Sequence, residues 1–353
     1  YYKYIYSLVA AIILFVSCNK EVLDRPPQAT YRNDNFWRNE DDLRLYGNGF
    51  YSNYFNGYNS GFAGDYTPVR GYTFSDDLTG KNVQTAFESS IPSSRGSTSE
   101  TAEWMSSYAG PTWNFAWVRK ANLFLNRIDN VAKPNITDEA YKHWTAVARF
   151  FRAYEYCRLV SVFGDVPYFD KELTDDDIAA MYIDRNDRGL VMDKVYDDFK
   201  YVMANMRTTD LNAQNLNRYV AAAYISRWML FEGTFQHYHN LDAARSKKYL
   251  EFAVEAADFV MGAGKWLFTS DYKALFSSES LSANQEVIFY RAYDAGLGIM
   301  HAIGSYNNGT EVVGVDANLV FIKSFIANDG KVWQNSAVSN VSSFKIADLV
   351  KTR

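Results

Sequence analysis

The chain has 353 residues, 48% of them hydrophobic, enough to bury a substantial core, which excludes a disordered tail. Its 36 basic and 41 acidic residues give a formal net charge of −5, and without a basic stripe it does not read as a nucleic-acid surface. Aromatic residues reach 17%, with 27 Tyr and 8 Trp, more than a core alone requires. Tyr and Trp join an apolar face to a polar handle, which suits wet interfaces and stacking on ligand rings.

Residues 4–16 form an apolar run that follows Lys3 and ends at Ser17-Cys18. This is the length of a signal-peptide core and short of the ~20 apolar residues that span a bilayer. Phe15-Val16-Ser17-Cys18 resembles a bacterial lipobox, with Phe15 where Leu is commoner, so Cys18 is the expected lipidation site. Several acyl chains hold a protein where one does so only marginally. A plain secretory signal, or a core helix with a chance Cys, is the alternative. The division expected is a signal segment and lipobox Cys at 1–18, followed by one binding domain over 19–353. Asn19-Lys20-Glu21 places charge beside the anchor and resembles the short signal that sends Bacteroidetes lipoproteins to the cell surface.

Residues 23–33 are polar and broken by Pro26-Pro27, as an extended tether would be. Asn33-Asp34-Asn35 offer caps for a helix with Glu40-Asp41-Asp42 in its first turns, running to about Tyr54. Residues 56–100, rich in Gly, Ser, Asn and Thr, predict loops with short strands. Between about Trp104 and Asn130, Trp113, Trp117, Ala121, Phe124 and Ile128 fall on one helical face. Thr137 caps the next helix, expected to run to about Val162 and to be buried on two faces, one carrying Trp144, Val147, Phe151 and Tyr154, the other Phe150, Ala153, Cys157 and Val160. Cys157 is expected to be a buried, inert thiol. Gly164-Asp165-Val166-Pro167 stop it. Further helices are predicted over 190–206, 217–235 and 242–261, the last ended by Gly262 and Gly264. Their pairing suggests tetratricopeptide-like hairpins. Glu286-Val287-Ile288-Phe289-Tyr290 predicts a short extended segment.

Convergent catalytic groups are hard to find. Asp76-Asp77 are adjacent and suit a loop cap better than a glycosidase pair. Asp175-Asp176-Asp177 read as a solvated run. His237 and His239, two apart on a helix, point to different sides, with no further metal ligand at suitable spacing. Neither a phosphate loop nor a nucleophile elbow occurs. The expectation is therefore a protein without catalytic residues, metal or cofactor.

Several short motifs occur in a fixed order: Cys18 with Leu23-Asp24-Arg25-Pro26-Pro27; Asn35-Phe36-Trp37-Arg38-Asn39-Glu40-Asp41-Asp42-Leu43; Arg119-Lys120-Ala121-Asn122; Arg149-Phe150-Phe151-Arg152-Ala153-Tyr154 with Phe163-Gly164-Asp165-Val166-Pro167-Tyr168; and Asn284-Gln285-Glu286-Val287-Ile288-Phe289. Together, over nearly the whole chain, they resemble the SusD/RagB family of outer-membrane nutrient-binding lipoproteins. The resemblance implies a mainly α fold of tetratricopeptide-like hairpins with an irregular loop-rich region. It implies an exposed site for a glycan or other nutrient, a TonB-dependent, SusC-like transporter as partner, and a lipid-anchored place on the outer-membrane surface. Family members usually extend further, so a C-terminally truncated chain is the matching expectation.

Sugar rings present flat C–H faces to aromatics, while polar side chains fix their hydroxyls. On that chemistry the ligand-binding candidates are Tyr66, Arg70, Tyr72 and Trp104, with Tyr293 facing them, whereas Trp113, Trp117 and Trp144 are assigned to the core. The competing readings are a helical glycoside hydrolase lipoprotein, which needs two carboxylates roughly 5–9.5 Å apart, and a scaffold that binds only protein.

Overall fold

The computed structural model describes residues 36–55, 77–80, 113–174, 176–212, 214–269, 271–300 and 315–337. The first described helix, α1 (Glu40–Asn48), is capped by Asn39 and not by the Asn33–Asn35 stretch. Asn39 Oδ1 accepts from the Asp42 amide at 3.0 Å, and Asp42 Oδ2 accepts in return from the Asn39 amide at 3.3 Å. This reciprocal cap satisfies two of the donors a helix start leaves open. The predicted single helix to Tyr54 is broken at Gly49 into α1 and a short α2 (Tyr51–Tyr54). Trp37 sits at φ 75° yet is almost fully buried, its ring 4.8 Å from that of Tyr46 and 5.9 Å from that of Phe124. A left-handed conformation this costly for a bulky residue persists where packing over-determines it.

Helix α3 (Ala116–Arg127) starts later than the aromatic periodicity predicts, and a π turn, Ile128–Ala132, extends it. The reason is local: Asn114 Oδ1 accepts from the Ala116 amide at 2.8 Å, a side-chain bond that competes with helix. Trp113 therefore lies ahead of the helix.

Helix α4 (Asp138–Phe163) is the centre of the fold. Thr137 caps it, accepting from the Ala140 amide at 3.1 Å, and Gly164 ends it at φ 71°. Both of its predicted faces are packed: Trp144, Val147, Phe151, Phe150, Ala153, Cys157 and Val160 are all buried, with Tyr154 half-buried. Phe151 stacks on Phe50 at 4.5 Å with the rings 8° from parallel.

A connector carrying the short α5 (Ile178–Met181) leads to α6 (Arg188–Asn205), α7 (Arg218–Tyr238) and α8 (Ala243–Met261). Asp187, Asn217 and Asp242 cap these three through their side chains. Each long helix packs on its neighbours, α3 on α4, α4 on α6, α6 on α7 and α7 on α8, as in a row of helical hairpins. The α7–α8 pair is close at Gly233, where an added Cβ would sit 2.7 Å from Leu250 Cγ and 3.1 Å from the Leu250 backbone nitrogen. The fold is thus mainly α, as the periodicity predicts.

The described residues after α8 are irregular, with short helices α9 (Tyr272–Ser277) and α10 (Leu319–Ser324). The predicted extended segment at 286–290 is not a strand but a turn followed by bends. It is tied to the end of α8 by the Leu267 amide donating to Gln285 O at 3.0 Å and Trp266 Nε1 donating to Val287 O at 3.1 Å. Within the predicted loop region a short strand does occur: β1 (Leu78–Gly80) pairs antiparallel with β2 (Val315–Ala317). No described helix is long and apolar enough to cross a membrane.

Candidate functional site

The residues that carry the family resemblance form buried ties. Arg152 of α4 donates from Nε to Asp198 Oδ2 and from Nη2 to Asp198 Oδ1, both at 2.8 Å. Its Nη1 reaches Asn122 Oδ1 and Asp170 O, each at 3.0 Å. Asn122 Nδ2 in turn donates to Phe169 O at 2.9 Å and Lys171 O at 3.1 Å. The Tyr156 hydroxyl accepts from the Phe169 amide at 2.6 Å, and burial pushes its pKa well above the usual phenol value. One guanidinium and one amide thus clamp the chain that follows α4 onto both α3 and α6. A second tie joins Arg188 and Glu232, with Nη2 donating to Oε2 at 2.6 Å and Gln236 donating to Oε1 at 2.8 Å. The Arg188 guanidinium also lies 3.6 Å from the centre of the Phe235 ring. These groups are occupied by the protein itself.

Open surface chemistry appears elsewhere. Tyr51 and Phe55, a turn apart around α2, line a recess of about 440 Å³ together with Phe289 and Tyr290. Ser52, Gln214 and Arg291 complete its described lining, which holds no carboxylate. The volume falls within the roughly 300–1,000 Å³ of small-molecule sites. Its platform is stiff. The Tyr51 hydroxyl accepts from the Leu216 amide at 2.6 Å, and burial pushes its pKa up to about 12. The Phe55 ring meets Phe289 edge-on at 4.9 Å and Tyr51 at 5.2 Å. Gln214 Oε1 accepts from the Ala292 amide at 3.0 Å, which aims the side chain and leaves its NH₂ free of described partners. The Ser52 and Tyr290 hydroxyls likewise bond to no described residue. Aromatic faces beside uncommitted donors are what a sugar ring requires.

A second recess, about 450 Å³, lies against the start of α3 and the chain after α4. It is lined by Trp113, Phe115, Val118, Phe169, Tyr182 and others, with Arg119 and Lys171 in its lining. The sequence assignment of Trp113 to the core is corrected here: the residue is half-buried, faces this recess, and has the Arg185 guanidinium 4.6 Å over its ring. Trp117 is half-buried against Phe50 and Tyr54, and Trp144 is fully in the core. The buried polar group here, Asn122, is already spent on the clamp, so this recess has the poorer chemistry for a hydroxylated ligand.

Of the residues singled out from sequence, Cys18, Tyr66, Arg70, Tyr72 and Trp104 lie outside the described residues. Tyr293 does not line the first recess, but the guanidinium of Arg291, which does, lies 5.3 Å over its ring. Tyr51, Ser52, Phe55, Gln214, Phe289, Tyr290 and Arg291 were not singled out. The available signals were the aromatic pair four apart at Tyr51 and Phe55 and the Phe289-Tyr290 pair closing the last motif. Asp77 is exposed, and Asp177 accepts from the Thr174 amide and hydroxyl, each at 3.0 Å, so the second of the two acidic runs closes a turn.

Residues 62–230 match a family model described as starch-binding and associating with the outer membrane, SusD-like. No curated protein sequence matches the chain. Among solved structures, a SusD-like carbohydrate-binding protein from Bacteroides fragilis aligns with TM-score 0.63 at 19% identity, over 90% of this chain and 58% of its own. A SusD-superfamily protein from Parabacteroides distasonis aligns with TM-score 0.61 at 15% identity, over 87% of this chain and 65% of its own. A second SusD-like protein from Bacteroides fragilis aligns with TM-score 0.58 at 19% identity, over 92% and 60%. The chain therefore spans less than two thirds of the length of these structures. The family match thus runs from residue 62 into α7, just under half of the chain, and these alignments show that the chain has the SusD-like fold.

Proposed function

We propose that this chain binds oligosaccharide in the recess between α2 and the 289–291 segment, without cleaving it. The observation that carries the reading is the pairing of four aromatic side chains, Tyr51, Phe55, Phe289 and Tyr290, with the uncommitted polar groups of Ser52, Gln214 and Tyr290. The family description as starch-binding, and that of a structural neighbour as carbohydrate-binding, agree with it. The sequence candidates Tyr66, Arg70, Tyr72, Trp104 and Tyr293 belong to the same proposal as further ligand contacts. So do residues 1–18 as a lipoprotein signal, Cys18 as the lipid anchor on the outer-membrane surface, residues 19–353 as one binding domain, and delivery of the ligand to a TonB-dependent transporter.

Affinity electrophoresis of the protein in gels containing plant and bacterial polysaccharides tests the reading, with chromatography of the same mixtures for products. Retardation by at least one polysaccharide is expected, abolished by Tyr290→Ala and accompanied by no new products. Retardation untouched by Tyr290→Ala overturns the site, and products overturn the non-catalytic reading.

A further inference from the structure

We infer that the sugar taken in this recess is acidic, carrying a ring carboxylate that Arg291 binds. The inference rests on the recess being the saccharide site. Arg291 brings the single cationic side chain of the described lining, and no Asp or Glu accompanies it. Among the described residues it forms no ion pair; the contact seen is with the face of Tyr293, 5.3 Å from guanidinium carbon to ring centre. A ring face orients a guanidinium without neutralising it. Asp210 is close enough to influence Tyr51, but Arg44 Nη1 donates to both its oxygens, at 2.7 and 2.8 Å, and cancels it.

An uncompensated guanidinium beside an aromatic platform matches a carboxylate on a sugar ring, since its planar fork can donate two parallel bonds to the two oxygens. The net charge of −5 does not oppose this, because at physiological ionic strength distant charges are screened beyond about 8 Å. A neutral sugar would leave the same guanidinium without an anion partner and gain only its weaker neutral hydrogen bonds.

Titration calorimetry of the protein against two sets of trisaccharides tests the inference at low and at high salt. The acidic set is trigalacturonate, trimannuronate and triglucuronate; the neutral set is maltotriose, cellotriose and laminaritriose. At least one acidic sugar is expected to bind roughly tenfold or more tightly than every neutral one, with affinity that falls with salt. Arg291→Gln should lower that affinity about tenfold and flatten its salt dependence, and Arg291→Lys should restore part of it. If a neutral sugar binds as well as every acidic one, or if Arg291→Gln leaves the acidic sugar's affinity unchanged, the inference fails. In that case, loss of binding in Tyr290→Ala leaves the recess standing as the saccharide site. Binding of neither set, or binding indifferent to Tyr290→Ala, overturns both.

Discussion

Replacing Arg152 by Met tests whether the clamp behind α4 holds the fold as its geometry says. Arg152 and Asp198 are 7% and 5% exposed, so the change leaves a carboxylate buried, with only Arg149 Nη1 nearby at 3.4 Å. Removing one partner of such a pair costs about 3–5 kcal/mol, because the remaining charge has lost its water and its counter-charge. Asp198→Leu strands the guanidinium and should cost a similar amount. In the double variant no charge is stranded, and what remains is the loss of the bonds to Asn122 Oδ1 and Asp170 O, about 1–3 kcal/mol. The double variant is therefore expected to be more stable than either single one, with a coupling of several kcal/mol. Urea unfolding, read from midpoint and slope, gives all three values. Hydrogen exchange should show the amides of residues 168–171 losing protection in both single variants. A loss below about 1 kcal/mol in Arg152→Met, or costs that simply add in the double variant, would refute the argument that this network is a desolvated charge clamp.

Phe151→Ala removes a ring buried in full against Phe50 and should lower stability by about 3–5 kcal/mol in the same urea assay. Gly233→Ala forces a methyl into the Leu250 side chain and backbone, so a loss of about 1–3 kcal/mol is expected, and thermal unfolding measures it. Burial, followed by the Arg207 charge, lowers the His143 pKa to about 4 from its ordinary 6.5. The native state then declines a proton that the unfolded chain accepts, so this contribution is complete above pH 6.5. It falls by about 3 kcal/mol as pH drops toward 4. Glu155, raised by burial, acts in the opposite sense, its contribution falling as pH rises from 4.5 through its folded value. The difference between wild-type and His143→Leu pH–stability profiles isolates the histidine, and a flat difference across that window would contradict its burial as a neutral ring. Burial pushes the Cys157 thiol well above its usual pKa, so peptide mapping after iodoacetamide should show it unmodified in native protein and labelled in urea.

What could be read without coordinates divides by the range of the interaction. Thr137 was legible as a cap, and the helix starts expected near 217 and 242 fall at the capping Asn217 and Asp242, because a cap is a bond between a side chain and a backbone two or three residues away. The two buried faces of α4 were legible because helical period alone decides which of its residues lie together. Period misplaced the start of α3, since Trp113 and Trp117 keep the spacing although Asn114 has already turned the chain out of the helix. The extended reading of 286–290 failed for a related reason. A β-branched, aromatic run gains strand geometry only from a partner strand, and here single bonds hold it, Leu267 donating to Gln285 O just before the run and Trp266 to Val287 O within it.

The recess itself was not legible, and its composition shows why. Phe55 touches Phe289 across most of the helical domain in sequence, and Gln214 holds Ala292 across 78 residues. No periodicity links residues so far apart, and aromatic character alone cannot separate a platform such as Tyr290 from a buried ring such as Tyr249. The motifs that were recognisable, the Asn122, Arg152 and Gly164 stretches, lead instead to the clamp and the end of α4, which hold the scaffold. A family resemblance built on those residues therefore reports the fold, while the choice of ligand is made by side chains that the fold brings to one rim. That division explains why an acidic ligand class is read from Arg291 and its neighbours and not from the motifs. A change at Arg152 should unsettle the whole domain, whereas a change at Arg291, exposed at the rim, should alter what is bound and leave the unfolding free energy within about 0.5 kcal/mol of its starting value.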